Sequence, residues 1–394
     1  SVISLSLPST IYAANTDITT FGYNITADKV AVVTLGAFKF KKQATSAAYN
    51  CDLATGGPTG PNESTVLCLG NRKFVWLEAN LDGVTLAGGF PVKIGLFVYN
   101  MSFSRINNMT ISPLSTASFN LPGAYITFSN SNIFTGLTMH KAGSGLALNS
   151  GAKNIFRKLS ISDTHGLSGS PAAIKMWGPP SIQGHRFYDV RISNHGLNSS
   201  DAAAIEIMSG GNVFSRVTIT NTFGTSSKGI RLSGEDADNN IFSQIVSAGS
   251  SDAGIVLSGP GTNTTVSGNA FNLMTIANNT SNAIYFDPGK YINNVFSSLA
   301  FGNHDKAIQT AATVNSLSTG NIFGDLYIAH NSNYAIETIT AGFGSRLGYF
   351  YYSGGACGNG AVASDMCIGA SGSANLTNAF PTVSTDDSIN PNDS

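Results

Sequence analysis

The feature that most constrains this chain is a recurring Asn-x-Phe, followed three and five residues after the Phe by apolar side chains. The copies are Asn132-Ile133-Phe134 with Leu137 and Met139, Asn154-Ile155-Phe156 with Leu159 and Ile161, and Asn212-Val213-Phe214 with Val217 and Ile219. They continue as Asn240-Ile241-Phe242 with Ile245, Asn269-Ala270-Phe271 with Met274 and Ile276, Asn294-Val295-Phe296 with Leu299 and Phe301, and Asn321-Ile322-Phe323 with Leu326 and Ile328. Phe187, with Val190 and Ile192, fits the frame but has His185 in place of Asn. Seven steps carry Phe134 to Phe323, a mean period of 27 residues. Each period holds a second apolar group after a small residue, as in Ala173-Ile174-Lys175-Met176, Ala204-Ile205-Glu206-Ile207, Gly229-Ile230-Arg231-Leu232 and Gly254-Ile255-Val256-Leu257. Alternation at period two predicts short strands, and the polar interruptions predict turns. Such a unit cannot bury its apolar face alone, whereas stacking on copies of itself does bury it.

Composition narrows the function. Only 11% of the 394 residues are charged and the formal net charge is −1, so there is no cation surplus with which to displace counterions from nucleic acid. An apolar fraction of 42%, with 23 Phe, excludes disorder. The longest apolar candidate, Val30 to Phe38, is too short for a membrane-spanning helix. A start at Ser1 without Met fits a chain whose export signal has been removed, and an exported or cell-surface location is expected.

The Asn-x-Phe-x-x-Leu-x-Ile…Gly-Ile-x-Leu unit resembles the parallel β-helix repeat of the pectin-lyase-like superfamily, over roughly residues 83–352. The resemblance implies an all-β, right-handed parallel β-helix, a solenoid of about ten coils and of order 50 Å long at the inter-strand spacing. Phe should then stack on Phe at ~4.8 Å, and the Asn column should form a ladder of buried turn amides. Residues 1–82 match no repeat and are expected to form an N-terminal β capping region, because an open coil end exposes strand edges. Residues 353–394 form a C-terminal segment with an acidic tail. Its Leu376-Thr377-Asn378-Ala379-Phe380 and Asp386-Asp387 are similar to segments of large repetitive surface proteins of Gram-negative bacteria. Cys51/Cys68 and Cys357/Cys367 are local pairs flanking a cysteine-free interior, read as two disulfides that staple the ends; without a C-x-x-C spacing, zinc is the weaker reading.

Inward residues of a coil make the core, so chemistry must lie on outward columns or in turns. One outward column comprises Lys175, Glu206, Arg231, Val256 and Tyr285, with Trp177 in the column beside it. Lys175, Trp177, Glu206, Arg231 and Tyr285 are the candidate ligand-binding residues. A uronate lyase or epimerase would use such a face: a cation neutralises the carboxylate, a base such as Glu206 takes the C5 proton, and an aromatic stacks on the sugar. The bland alternative is a cross-strand ion ladder worth about 0.2–1 kcal/mol per pair. A second column follows the first strand, where Asp163, His165 and His195 are candidate catalytic residues, with His304 and His330 further along; the alternative is His and Asp replacing Asn in a turn ladder. Asn-Thr-Asp, Gly-His-Gly, Arg-Ile-Lys and Asp-Pro-His-Asp, strings expected of pectin hydrolases and alginate epimerases of this fold, do not occur in the repeat, and the one Asn-Thr-Asp, at residues 15–17, lies ahead of it. Gly234-Glu235-Asp236-Ala237-Asp238 is the one dense acidic group and reads as a polar turn rather than a calcium site. No cofactor or metal is expected. The outward Thr138, Ser160, Arg191, Thr218, Val246 and Thr275 are too irregular for an ice-binding lattice. The absent strings favour an extracellular or cell-surface adhesin, fibre or glycan-binding module without catalysis. The alternative is a polysaccharide lyase, epimerase or glycosidase acting on a uronate-containing or surface glycan. Expected partners are a glycan or cell-envelope surface and further copies of the chain, as a homo-oligomer or filament, with no nucleic acid and no membrane span.

Overall fold

A computed structural model describes strand segments at 23–24, 31–33, 65–70 and 76–84, most of residues 94–331, and segments at 336–338, 345–347, 350–355 and 368–370, with side chains described within 95–328. All regular elements among the described residues are β-strands, and they form a parallel β-solenoid. Two long parallel sheets, of 13 and 14 strands, are threaded alternately by the chain. Each regular coil contributes a long strand, such as Arg186–His195, to one sheet and a short strand, such as Ala203–Ile207, to the other. A third, two-stranded sheet of Thr265–Ser267 and Lys290–Ile292 widens two adjacent coils.

Register follows the repeat. Phe156 pairs with Phe187, Phe187 with Phe214, Phe214 with Phe242, and so on to Phe323. Their rings stack with centroids 4.4–5.2 Å apart and interplanar angles below 10°. The three-residue step from Phe to the next core residue has a backbone cause. Two residues past each Phe from Phe156 onward, a non-glycine residue lies in the left-handed region: Lys158, Asp189, Arg216, Gln244, Leu273, Ser298 and Asp325, with φ of 51–58°. The kink places two consecutive side chains outside before Leu, Val, Ile or Met turns inward again, giving the burial sequence in which Phe187 and Val190 are buried and Tyr188 and Asp189 are not.

The Asn ladder forms as expected. Nδ2 of Asn132 donates to Oδ1 of Asn154, and the same link joins Asn212, Asn240, Asn269, Asn294 and Asn321 in order, at 3.0–3.1 Å. Each acceptor Oδ1 also takes a backbone N–H from the coil before it, so a turn buried on all sides keeps its polar groups paired. The small residue opening each short strand is set by crowding. A Cβ on Gly254 would overlap the Ile276 side chain and sit 2.9 Å from the Ala283 carbonyl oxygen.

The regular part, from Phe134 to Phe323, makes about seven turns rather than ten. Strands Thr65–Gly70 and Trp76–Val84 already pair in parallel with Ile94–Tyr99 and Arg105–Pro113, continuing the two sheets toward the N-terminus. Cys51, Cys357 and Cys367 lie outside the described residues, and of Cys68 only the backbone is described, so both expected disulfides lie outside them too. The same holds for most of 1–82 and 353–394.

Candidate functional site

Parallel pairing of short strands brings the charged column together. Lys175 pairs with Glu206, and Glu206 with Arg231, on three successive rungs. These three side chains line an open cleft of about 460 Å³ with Met208, Ser233, Ser258 and the Gly234–Asp236 turn. Glu206 lies at an outward-facing position of its strand, yet its side chain is only 3% exposed. Its Oε2 is 2.9 Å from Lys175 Nζ, and its Oε1 accepts a long hydrogen bond of 3.4 Å from the Ser233 hydroxyl. Arg231 is held from the other side, its Nη1 3.0 Å from Oδ2 of Asp201. Asp201 also binds Lys228 at 2.5 Å. Asp252, 3.8 Å from Lys228, has its carboxyl pushed above the usual range, mainly by burial, with Lys228 opposing. A carboxylate sunk between two cations, one of them braced by a further carboxylate, is a preorganised electrostatic arrangement.

The aromatic candidates flank the cleft without lining it. Trp177 projects from the Lys175 strand two residues on, and therefore on the same face. Its ring lies 6.0 Å from that of Tyr125, which stacks at 5.6 Å on Phe97. Tyr125 also receives a hydrogen bond of 3.0 Å from Asn149 Nδ2, which fixes its hydroxyl. At the other end, Tyr285 stands two rungs beyond Arg231 with buried Val256 between them. Burial, with Asp287 and Asp252 nearby, raises its phenol above the ordinary value. The outer face of the short-strand sheet thus runs from an aromatic strip through the charged cleft to a second aromatic.

The Asp163/His165/His195 group is not assembled. Thr164, not His165, pairs with His195, so the two histidines are one residue out of register. His195 turns into the coil, is fully buried, and is held through Nδ1 by the Thr164 hydroxyl and through Nε2 by the Pro171 carbonyl at 3.3 Å. Burial lowers its pKa to about 4. His304 is likewise buried, with its pKa lowered by burial and its Nε2 2.9 Å from the Ile276 carbonyl. The side chain of His330 lies outside the described ones. Asp163 instead meets His140, with Nδ1 3.0 Å from its Oδ2, and accepts a hydrogen bond from Asn194. His140 carries no repeat signal in the sequence, and only its pairing across coils brings it to Asp163. Asp201 was equally hidden, since it lies in a turn outside both columns. Among the described residues, no group of three His, Cys, Asp or Glu is placed to hold a metal ion, and no helix is long and apolar enough to cross a membrane.

No family model matches the chain, and no curated protein matches its sequence. Solved structures with a similar coil include a hyperthermoactive exopolygalacturonase from Thermotoga maritima, at 9% identity and TM-score 0.43, covering 83% of this chain and 81% of that one. A tailspike mutant of E. coli bacteriophage HK620 in complex with a pentasaccharide matches at 9% identity and TM-score 0.49, over 87% of this chain and 58% of the tailspike. The catalytic domain of a GH87 α-1,3-glucanase in complex with tetrasaccharides matches at 11% identity and TM-score 0.48, over 92% and 70%. The chain therefore spans less than two thirds of the tailspike. The fold itself, a parallel β-solenoid of two long sheets, is the one the repeat implied. The expectation of a non-catalytic adhesin, fibre or binding module is corrected here. The proteins sharing the coil are mostly glycan-acting, among them a polygalacturonase, a glucanase and a mannuronan C-5 epimerase module. Absent family strings do not decide between the readings, because a solenoid composes a site from separate coils, not from one stretch of chain.

Proposed function

We propose that this chain is an exported carbohydrate-active enzyme whose substrate, a uronate-containing or surface glycan, lies along the outer face of the short-strand sheet. The observation that carries this reading is Glu206, a carboxylate almost completely buried at the base of an open cleft with Lys175 at 2.9 Å and Arg231 on the next rung. Lys175 and Arg231 would neutralise the uronate carboxylate, which acidifies the C5 proton. Glu206 would take that proton, the step shared by β-elimination and C5 epimerisation. Trp177 and Tyr125 offer apolar ring faces to neighbouring sugars. A hydrolytic reading is supported by Glu235 and Asp236, which line the same cleft and supply the second carboxyl group that glycoside hydrolysis needs.

Polygalacturonate, alginate and mixed surface glycans incubated with the protein should yield unsaturated uronide absorbance or C5-inverted residues. Glu206→Gln should lower kcat/KM by about 10²–10⁴-fold, the range for a general acid or base. New reducing ends without unsaturated product would select hydrolysis, and full activity in Glu206→Gln would remove this cleft from the chemistry.

A further inference from the structure

The outer face of the long-strand sheet carries a concentration of charge that neither repeat column announces. Over three successive coils, Lys153, Arg157, Lys158, Arg186, Arg191 and Arg216 are all exposed, and one exposed carboxylate, Asp189, lies among them. These six are more than a quarter of the 21 Lys and Arg in a chain whose net charge is −1. Register places them as a two-dimensional array. Ile155 pairs with Arg186, Arg157 with Tyr188, and Ser160 with Arg191, while Arg216 stands one residue beyond Ser215, the partner of Tyr188 on the next coil. At ~4.8 Å per rung and ~3.3 Å per residue the five strand cations cover roughly 10 by 16 Å, and Lys153 stands in the turn just before them. Of the six, only Arg216 has a carboxylate at ion-pair distance among the described residues, its Nε and Nη2 gripping Asp189 at 2.6 and 3.1 Å. Arg157 and Arg216 both lie over the Tyr188 ring, each with Cζ 6.0 Å from its centroid, so two guanidinium groups are braced by one phenol.

We infer that this basic face is a second binding surface, separate from the Glu206 cleft, for a polyanionic polysaccharide carrying carboxylates or sulfates. Guanidinium forks suit such oxyanions, and a periodic array suits a polymer with a charge on each repeat. Single-stranded nucleic acid fits less well, because it relies on aromatic faces for base stacking and Tyr188, the aromatic within the array, is covered by two arginines. Double-stranded nucleic acid would need an overall cation surplus, which the chain lacks. The long-strand surface toward the C-terminus offers no continuation, since Val246, Leu273 and Tyr327 are exposed there instead. The array is therefore a bounded anchor and not a track along the rod.

The inference stands whether or not the cleft is catalytic, and binding is measured on Glu206→Gln so that turnover does not intrude. Affinity electrophoresis through gels holding polygalacturonate, chondroitin sulfate or neutral dextran should show retardation by the first two, weakening steeply with salt, and none by dextran. Arg157→Ser/Arg186→Ser/Arg191→Ser should weaken retardation by about tenfold, as three exposed charge contacts would. The single reversal Arg191→Glu, at an exposed position, gives the same direction if the triple variant folds poorly. Turnover of a short oligouronide by the triple variant in the Glu206 background should stay at the wild-type level, which separates the anchor from the cleft. No retardation by either polyanion, unchanged retardation of a folded triple or single variant, or tighter binding of oligo-dT than of both polyanions would each overturn the assignment.

Discussion

His185 shows how one residue can run against its own column. It occupies an Asn position, is fully buried, and accepts the Asn154 backbone N–H at its Nδ1 at 3.2 Å, which leaves the proton on Nε2. That Nε2 is buried without a hydrogen-bond partner. Burial drops its pKa to about 3 and that of His195 to about 4, well below the unfolded value of about 6.5. Unfolding therefore takes up protons, so stability is fully present above pH ~6.5 and is lost as pH falls toward the folded pKa values. The unfolding free energy from urea titration should decline between pH 6.5 and 4.5 by on the order of 2–3 kcal/mol for each buried histidine. His185→Asn should reduce that decline by about 1.4 kcal/mol per pH unit and restore an amide to the ladder. An unaltered pH slope would show that the ring is solvated in the native protein. At this scale the ladder was legible because one residue type recurs at one spacing. His195 was left between two readings because its turn places neighbouring residues on opposite sides of the wall, and a one-residue shift decides which is buried.

Elements obey the same economy. The long strands owe their bend to a left-handed residue that in one coil is Leu273, 51% exposed with φ 53°. A β-carbon in that region costs roughly 1–2 kcal/mol, and an exposed Leu gains little packing in return. Leu273→Gly should raise the thermal midpoint, a stabilisation of up to about 1 kcal/mol, while Gly254→Ala should lower it because the added methyl meets Ile276 and the Ala283 carbonyl. The kink was written in the sequence as the three-residue gap after Phe, although alternation rules alone do not say which backbone region produces it. The basic face was missed for a related reason. Its cations lie on both sides of the kink on three coils, and only Lys158 and Arg216 share a column, with Asp189 between them, so the folded register is what shows them as one array.

Across the whole molecule, each coil touches chiefly the coil before and after it, and stability is a sum of neighbour contacts rather than the property of one centre. Phe214, between Phe187 at 4.4 Å and Phe242 at 5.2 Å, is a mid-rod link in that sum. Phe214→Ala should cost about 3–5 kcal/mol locally. Native-state hydrogen exchange should then quicken in Arg186–His195, Val213–Thr222 and Ile241–Ser250 and change little near Phe323. Uniform acceleration along the rod would mean that the coils unfold as one unit. Fold class and repeat boundaries were legible because every coil restates them. The site was legible only in part, because Lys175, Glu206 and Arg231 share a column whereas the Gly234–Asp236 turn that lines the cleft and Asp201, which braces Arg231, lie outside it.

The amide ladder also has a direction. Asn132 donates to Asn154, and from Asn212 to Asn294 each side-chain amide gives one N–H to the Asn oxygen of the coil made after it. A ribosome delivers coils in that same order. Every completed coil therefore meets its successor with a donor already in place, so the rod can be laid down from its first coil to its last, each layer serving as the mould for the next.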